Sequence, residues 1–224
     1  MNFTEIIDIM SIIGTIAFSS MGTMIGIRKS MDLFGVITLG VITATGGGAI
    51  RDIILGILPQ KVFQNSRDII LATITSIILF LLIYYNKEVI EKYYFKIYEK
   101  IISLFDAIGL GIFTVIGIKT AMDMGYSKNK FLLVFAGVIT AVGGGMLRDI
   151  MTESTPFIFK KHIYACACII GAISYLYLFK KINNELICML IGAGIVIAIR
   201  LLSAYYHLDL PKIELMIKKD KNSL

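Results

Sequence analysis

The chain has 224 residues, of which 57% are hydrophobic and 17% are charged, and its net charge at pH 7 is +6. Soluble domains carry about 45–50% apolar and about 25% charged residues, so this composition indicates a membrane protein and excludes an ordinary soluble enzyme. A basic charge often points to nucleic acid, but here Lys and Arg lie at the ends of apolar segments, as in membrane proteins.

Seven segments have the approximate length and apolar character of a membrane-spanning helix, which needs about 20 residues. In chain order they cover residues 5–27, 33–57, 67–85, 101–122, 130–151, 162–179 and 186–206. The first begins with Glu5 and Asp8 and not with basic residues, so we expect a retained helix and not a signal peptide. The sequence therefore predicts an all-α membrane protein with seven transmembrane helices, no enzymatic activity and no metal site.

A doubled motif divides the chain into two related halves. Gly46-Gly47-Gly48 is followed by Arg51-Asp52 in the second span, and the same pattern returns in the fifth span as Gly143-Gly144-Gly145 with Arg148-Asp149. Neighbouring residues repeat at the same spacing, including Ile42-Thr43-Ala44 with Ile139-Thr140-Ala141 and Pro59 with Pro156. Each half holds three spans, and an odd number reverses the direction of the second copy, so we expect inverted repeats.

The predicted organisation has five parts. They are a first three-helix repeat (1–85), a cytoplasmic interfacial linker rich in rings and charges (86–100), a second, inverted repeat (101–179), a seventh helix (180–206) and a basic cytoplasmic tail (207–224). Outside the spans, six Lys and Arg lie on the N-terminal side of the membrane and twelve on the other. The positive-inside rule then predicts an outer N-terminus and a cytoplasmic C-terminus in a prokaryotic plasma membrane.

The glycine triplets have two interpretations. Glycine costs about 1 kcal/mol relative to Ala inside a helix, so three in a row favour a hinge or an unwound turn whose carbonyls line a polar path. The alternative is close helix packing by small residues. Because the motif occurs twice and precedes a charge pair each time, we favour pore or hinge positions at Gly46, Gly47, Gly48, Gly143, Gly144 and Gly145.

The charged residues of the motif cannot lie unpaired in lipid, where each costs roughly 2.5–3.5 kcal/mol at mid-membrane. We interpret Arg51, Asp52, Arg148 and Asp149 as an inward-facing polar constriction or gate, the alternative being snorkelling at helix ends. Pairing across the repeats and pairing within each motif are both compatible with the sequence. Weaker polar candidates inside the spans are Ser19, Thr114 and Lys119, the last of which, like Arg200, lies near a span end from which it can snorkel.

The doubled Gly-Gly-Gly-x-x-Arg-Asp motif, in a three-plus-three-plus-one layout, resembles the prokaryotic trimeric intracellular cation channels, a sequence family also labelled a bacterial glycine-transporter-type domain. The resemblance covers about residues 4–206. It implies a homotrimer with a separate pore in each protomer, lined by the first, second, fourth and fifth spans. Ser11 stands where the second repeat has Asp106, so the two halves differ chemically there.

These observations favour a passive channel for potassium or sodium. The alternative is a small-solute transporter, for glycine, working by alternating access, and a structural membrane protein without flux is a third interpretation. The expected ligand is a permeant monovalent cation. We expect no cofactor, no nucleic acid, and the lipid bilayer as partner, with bound lipid left open.

Overall fold

The computed structural model describes residues 3–160, 163–182 and 184–206, with the side chains of residues 87–98 and 160 left out. This part of the chain is helical and contains no strand. The long helices are α1 (Phe3–Arg28), α2 (Leu33–Ile54), α4 (Arg67–Tyr85), α5 (Lys87–Ala121), α6 (Lys130–Met151), α8 (Ala165–Phe179) and α9 (Glu185–Tyr205). The short helices α3 (Lys61–Gln64) and α7 (Phe157–Lys160) follow α2 and α6, and a π-helical turn (Met122–Tyr126) extends α5.

Six helical segments are long and apolar enough to cross a membrane, and they match six of the predicted spans. The exception is α8, which has 15 residues and therefore spans about 22 Å at a rise of about 1.5 Å per residue. Its helix begins at Ala165, three residues later than the predicted span, and residues 161–162 are not described. The predicted basic tail at 207–224 also lies outside the described residues.

Helix starts are specified locally by polar caps at repeated positions. The Asp32 carboxylate accepts a hydrogen bond from the Gly35 amide at 2.7 Å, and the Asn129 side chain accepts one from the Leu132 amide at 3.1 Å. Both are N-caps, which satisfy amides that have no partner within the helix. By contrast, the predicted linker at 86–100 is largely the first part of α5, because no Gly or Pro interrupts the chain there.

The two glycine triplets lie where α2 and α6 cross. Both helices stay α-helical through the triplets, so neither has the unwound turn that the sequence suggested. A Cβ atom on Gly47 would lie 2.1 Å from the Thr140 carbonyl oxygen, and one on Gly144 would lie 2.0 Å from the carbonyl oxygen of Thr43. The crossing is antiparallel, and it depends on glycine because a side chain at either position would collide with the backbone of the other helix.

Helices α1 and α5 also pack against each other through residues at equivalent positions of the two repeats. The rings of Phe18 and Phe113 are 5.2 Å apart between centroids. The Phe18 ring lies 2.2 Å from where a Cβ on Gly109 would be, and the Phe113 ring lies 3.1 Å from the corresponding point on Gly14. Each phenylalanine thus packs onto the glycine of the other half, so equivalent residues of the repeats meet each other.

We predict that Gly47→Ala and Gly144→Ala each destabilise the protein. The added methyl group forces the helices apart, and overpacking of this kind typically costs about 1–3 kcal/mol, which outweighs the gain in helix propensity. The measurement is the thermal unfolding midpoint of the protein in detergent.

The matched control is Gly194→Ala in α9, where an added Cβ would have no atom within 4 Å. Its midpoint should stay the same or rise. Equal losses in all three variants would mean that the α2–α6 contact has no special need for glycine.

Candidate functional site

Each arginine of the doubled motif pairs with the aspartate that follows it. Arg51 donates from Nε and Nη2 to Asp52 Oδ1 at 2.9 and 2.7 Å. Arg148 donates from Nε to Asp149 Oδ1 at 2.8 Å, with Nη2 at 2.7 Å from the same oxygen. The pairing is therefore local within each motif, and the alternative of pairing across the repeats is wrong.

The second oxygen of each aspartate accepts a hydrogen bond from the backbone of the segment that follows the helix. Asp52 Oδ2 accepts from the Lys61 amide, and Asp149 Oδ2 accepts from the Phe157 amide, both at 2.8 Å. All four charged residues are buried, with at most 6% of any of them exposed. Snorkelling to the headgroups does not account for them, since both carboxylates are fully used inside the protein.

A cavity of about 430 Å³ opens at the end of the bundle where α1 begins. Its mouth carries four basic and four acidic side chains: Arg51, Lys61, Arg67, Lys119, Asp8, Asp52, Asp68 and Asp123. It extends inward to Ala44, Phe113 and Thr140 near the middles of α2, α5 and α6. The Arg51–Asp52 pair therefore lines this cavity.

The other end of the bundle is closed around Arg148. Its Nη1 donates to Met21 Sδ at 3.0 Å, its guanidinium lies 4.9 Å from the centroid of the Phe157 ring, and its exposure is 0%. Cation–π contacts in such desolvated places stabilise by up to about 2 kcal/mol. The two ends of the bundle thus have the same backbone arrangement and different access to solvent.

The six glycines divide by position. Gly46, Gly47, Gly143 and Gly144 face the opposite helix, where added Cβ atoms would lie within 3.0 Å of it. Gly48 lines the cavity beside Arg51, and Gly145 faces Tyr164 and Arg148. The packing interpretation therefore describes four glycines, and the remaining two leave room beside the arginines.

The three weaker polar candidates have different surroundings. Ser19 donates to the Ile16 carbonyl and Thr114 to the Leu110 carbonyl, so both hydroxyls bond to their own helix. Lys119 lines the cavity, where it pairs with Asp123 and lies 3.4 Å from Glu185. These contacts bring only Lys119 into the same cavity as Arg51.

One buried network was missed. Arg200 Nη2 donates to Asp106 Oδ2 at 2.9 Å, and the Tyr164 hydroxyl donates to Asp106 Oδ1 at 2.8 Å. Arg200 is 3% exposed, so the expectation that it snorkels is wrong: a carboxylate inside the bundle holds it. The sequence feature that could have pointed to this network is Asp106, an acidic residue inside a span, whose equivalent in the first repeat is Ser11.

We predict that Asp106→Asn destabilises the protein strongly. It leaves the Arg200 charge buried without a carboxylate, and breaking a buried ion pair typically costs about 3–5 kcal/mol. Unfolding midpoints of Asp106→Asn, Arg200→Gln and the double variant give the coupling, and the double variant should recover part of the loss.

The matched control is Asp8→Asn, which breaks an exposed pair with Arg67 (3.4 Å) and should change the midpoint little. Additive effects at Asp106 and Arg200, with no coupling, would contradict the network.

Comparison with known proteins gives consistent matches. The sequence model of the family described as "Glycine transporter" matches twice, over residues 8–84 and 103–180. The inner membrane protein YadS of Escherichia coli (strain K12), a UPF0126 protein, is 33% identical over 203 residues, which cover 90% of this chain and 93% of YadS. A UPF0126 membrane protein of Vibrio cholerae is 32% identical over 93% of this chain and 83% of its own length.

Solved structures match over almost the whole chain. The trimeric intracellular cation (TRIC) channel orthologue from Rhodobacter sphaeroides is 25% identical with a TM-score of 0.81, covering 91% of this chain and 99% of that one. A prokaryotic TRIC channel solved in 0.5 M KCl is 30% identical with a TM-score of 0.81, covering 93% and 100%. The resemblance carried by the doubled motif is confirmed, and this multi-pass helical membrane protein belongs to the trimeric intracellular cation channel family.

Proposed function

We propose that the protein is a passive channel for monovalent cations, with a path through each protomer between α1, α2, α5 and α6. The observation that carries this proposal is the charged cavity, which enters the bundle between these helices and extends to the middles of α2, α5 and α6. Its lining includes the hydroxyl-bearing residues Thr45 and Thr140 and the small residue Gly48. Such groups can replace part of the hydration shell of potassium or sodium.

The arrangement corresponds to a closed channel whose gate is at Arg148. A path continued from the cavity would meet the Arg148–Asp149 pair, which is sealed by Met21 and Phe157. Conduction requires this guanidinium to leave its packed position.

The wider architecture is part of the same proposal. Seven spans form two inverted repeats plus α9, a layout supported by the two matches of the family model and by the antiparallel contact of α2 with α6. A homotrimer is supported by the structural neighbour that is a trimeric channel. The excess of Lys and Arg on the opposite side supports an N-terminus outside the plasma membrane, so the open cavity faces outward.

A second candidate function is transport of a small solute such as glycine by alternating access. The observation that favours it is the difference between the two ends, since one is open to solvent and the other is closed. In this mechanism the ends would open in turn, and the antiparallel α2–α6 crossing would act as the pivot.

Planar bilayers with asymmetric KCl separate the two functions. A cation channel gives discrete current steps that reverse near the potassium equilibrium potential. Silent bilayers combined with saturable glycine uptake in matched liposomes would overturn the channel and support the transporter.

We predict that Phe157→Ala raises the open probability. Loss of the cation–π contact removes about 0.5–2 kcal/mol from the closed state, which corresponds to roughly a 2- to 30-fold shift of the equilibrium. The measurement is single-channel recording at fixed voltage. Phe131→Ala is the matched control, because Phe131 is 80% exposed on the outside of the bundle, and an equal rise in both variants would contradict a gate at Arg148.

A further inference from the structure

In both motifs a backbone amide of the segment that follows the helix bonds to the aspartate, and the two residues that supply this amide differ in side chain. Lys61 and Phe157 each donate a backbone amide hydrogen bond of 2.8 Å to the aspartate of their motif. In the second repeat the Phe157 ring covers the arginine. In the first repeat a lysine supplies the amide, so a second positive charge stands where the other end of the bundle has an apolar seal.

Arg51 lines the cavity and has one donor group without a hydrogen-bond partner among the described residues. More than nine-tenths of the residue is buried, and it lines the cavity wall. Its Nε and Nη2 bond to Asp52, whereas Nη1 has no hydrogen-bond partner among the described residues. A buried guanidinium with one unused edge that faces a cavity is a built donor site for an anion.

Asp52 cannot neutralise Lys61 as well. Its Oδ1 is occupied by Arg51 and its Oδ2 by the Lys61 backbone amide. Within the described part of the chain the Lys61 ammonium forms no ion pair. Burial lowers the pKa of Lys61, and Arg51 lowers the pKa further, against the opposite influence of Asp52 and Asp123. Arg51 and Lys61 therefore place two basic groups on the cavity wall, and of these only Arg51 has a carboxylate partner among the described residues.

We propose that Arg51 and Lys61 form an anion site at the mouth of this cavity, and that the site takes a small carboxylate. The planar carboxylate matches the guanidinium edge and the ammonium together. The volume of the cavity, about 430 Å³, lies within the usual range for small-molecule sites. The same cavity is also lined by Asp68 and Asp123, and these carboxylates disfavour a ligand with more than one negative charge.

Two kinds of molecule carry a carboxylate of this size: a simple monocarboxylate and an amino acid. An amino acid would also have its ammonium group near the carboxylates of Asp68 and Asp123. In either case the ligand neutralises the positive charge at the mouth of the path. The site depends on the cavity and on the two basic side chains, and it does not depend on whether the protein conducts cations.

The test is binding of [14C]formate to the full-length protein in detergent, measured by equilibrium dialysis at low salt. We expect saturable binding that Lys61→Met weakens at least tenfold. The control variant is Arg67→Met, which removes another basic side chain of the same cavity, one that already pairs with Asp8. It should change the affinity less than twofold. Equal losses in both variants, or no saturable binding to the unmodified protein, would overturn the site.

Competition identifies the source of the carboxylate. Glycine that displaces formate ten times better than acetate does identifies an amino acid as ligand, and equal displacement identifies a simple carboxylate. Chloride that competes as well as formate would overturn the assignment to carboxylates. Because binding is measured without flux, a protein that conducts potassium yet binds no formate would refute this site and leave the channel intact.

Lys61→Phe provides a variant that copies the seal of the second repeat. Its amide can still bond to Asp52, so the variant should fold and elute like the unmodified protein, yet lose formate binding. Retained binding in Lys61→Phe would contradict the role of the ammonium group.

Discussion

The structure depends on how the bundle satisfies two buried carboxylates near its ends. A buried charge is tolerated only when it is paired and its remaining hydrogen-bonding capacity is used. Asp52 and Asp149 each meet this condition with one oxygen on the preceding arginine and the other on a backbone amide nine or eight residues further along. One residue therefore fixes a helix end, an arginine and a returning loop at the same time.

The glycine crossing lies between these two anchored ends. In lipid the hydrophobic effect does not drive helices together, so their association depends on close packing. The backbones of α2 and α6 approach each other as closely as glycine permits at Gly47 and Gly144. The contact is nearly symmetric, because Gly47 meets Thr140 and Gly144 meets Thr43. A crossing without side chains between the backbones is also one at which two helices can change angle with little steric resistance.

Much of the helical layout was predictable, because long apolar runs are local signals. The boundaries of α2, α4 and α6 agree with the predicted spans to within three residues. The pairing of Arg51 with Asp52 was less accessible, since adjacent helical residues normally point in different directions; it forms because Arg51 lies in the last turn and its long side chain folds back. The Asp106–Arg200 pair joins residues 94 positions apart, and no sequence spacing specifies such a contact.

The difference between the two ends follows from side chains placed on a shared frame. The Phe157 ring and Met21 bury Arg148 completely. In the first motif Lys61 supplies the amide that bonds to the aspartate, and Arg51 lies on the wall of a cavity. Since the amide of either residue makes the same hydrogen bond to its aspartate, the side chain was free to diverge without loss of the anchor. Side chains that differ between the two motifs thus give the two ends of the bundle different access to solvent.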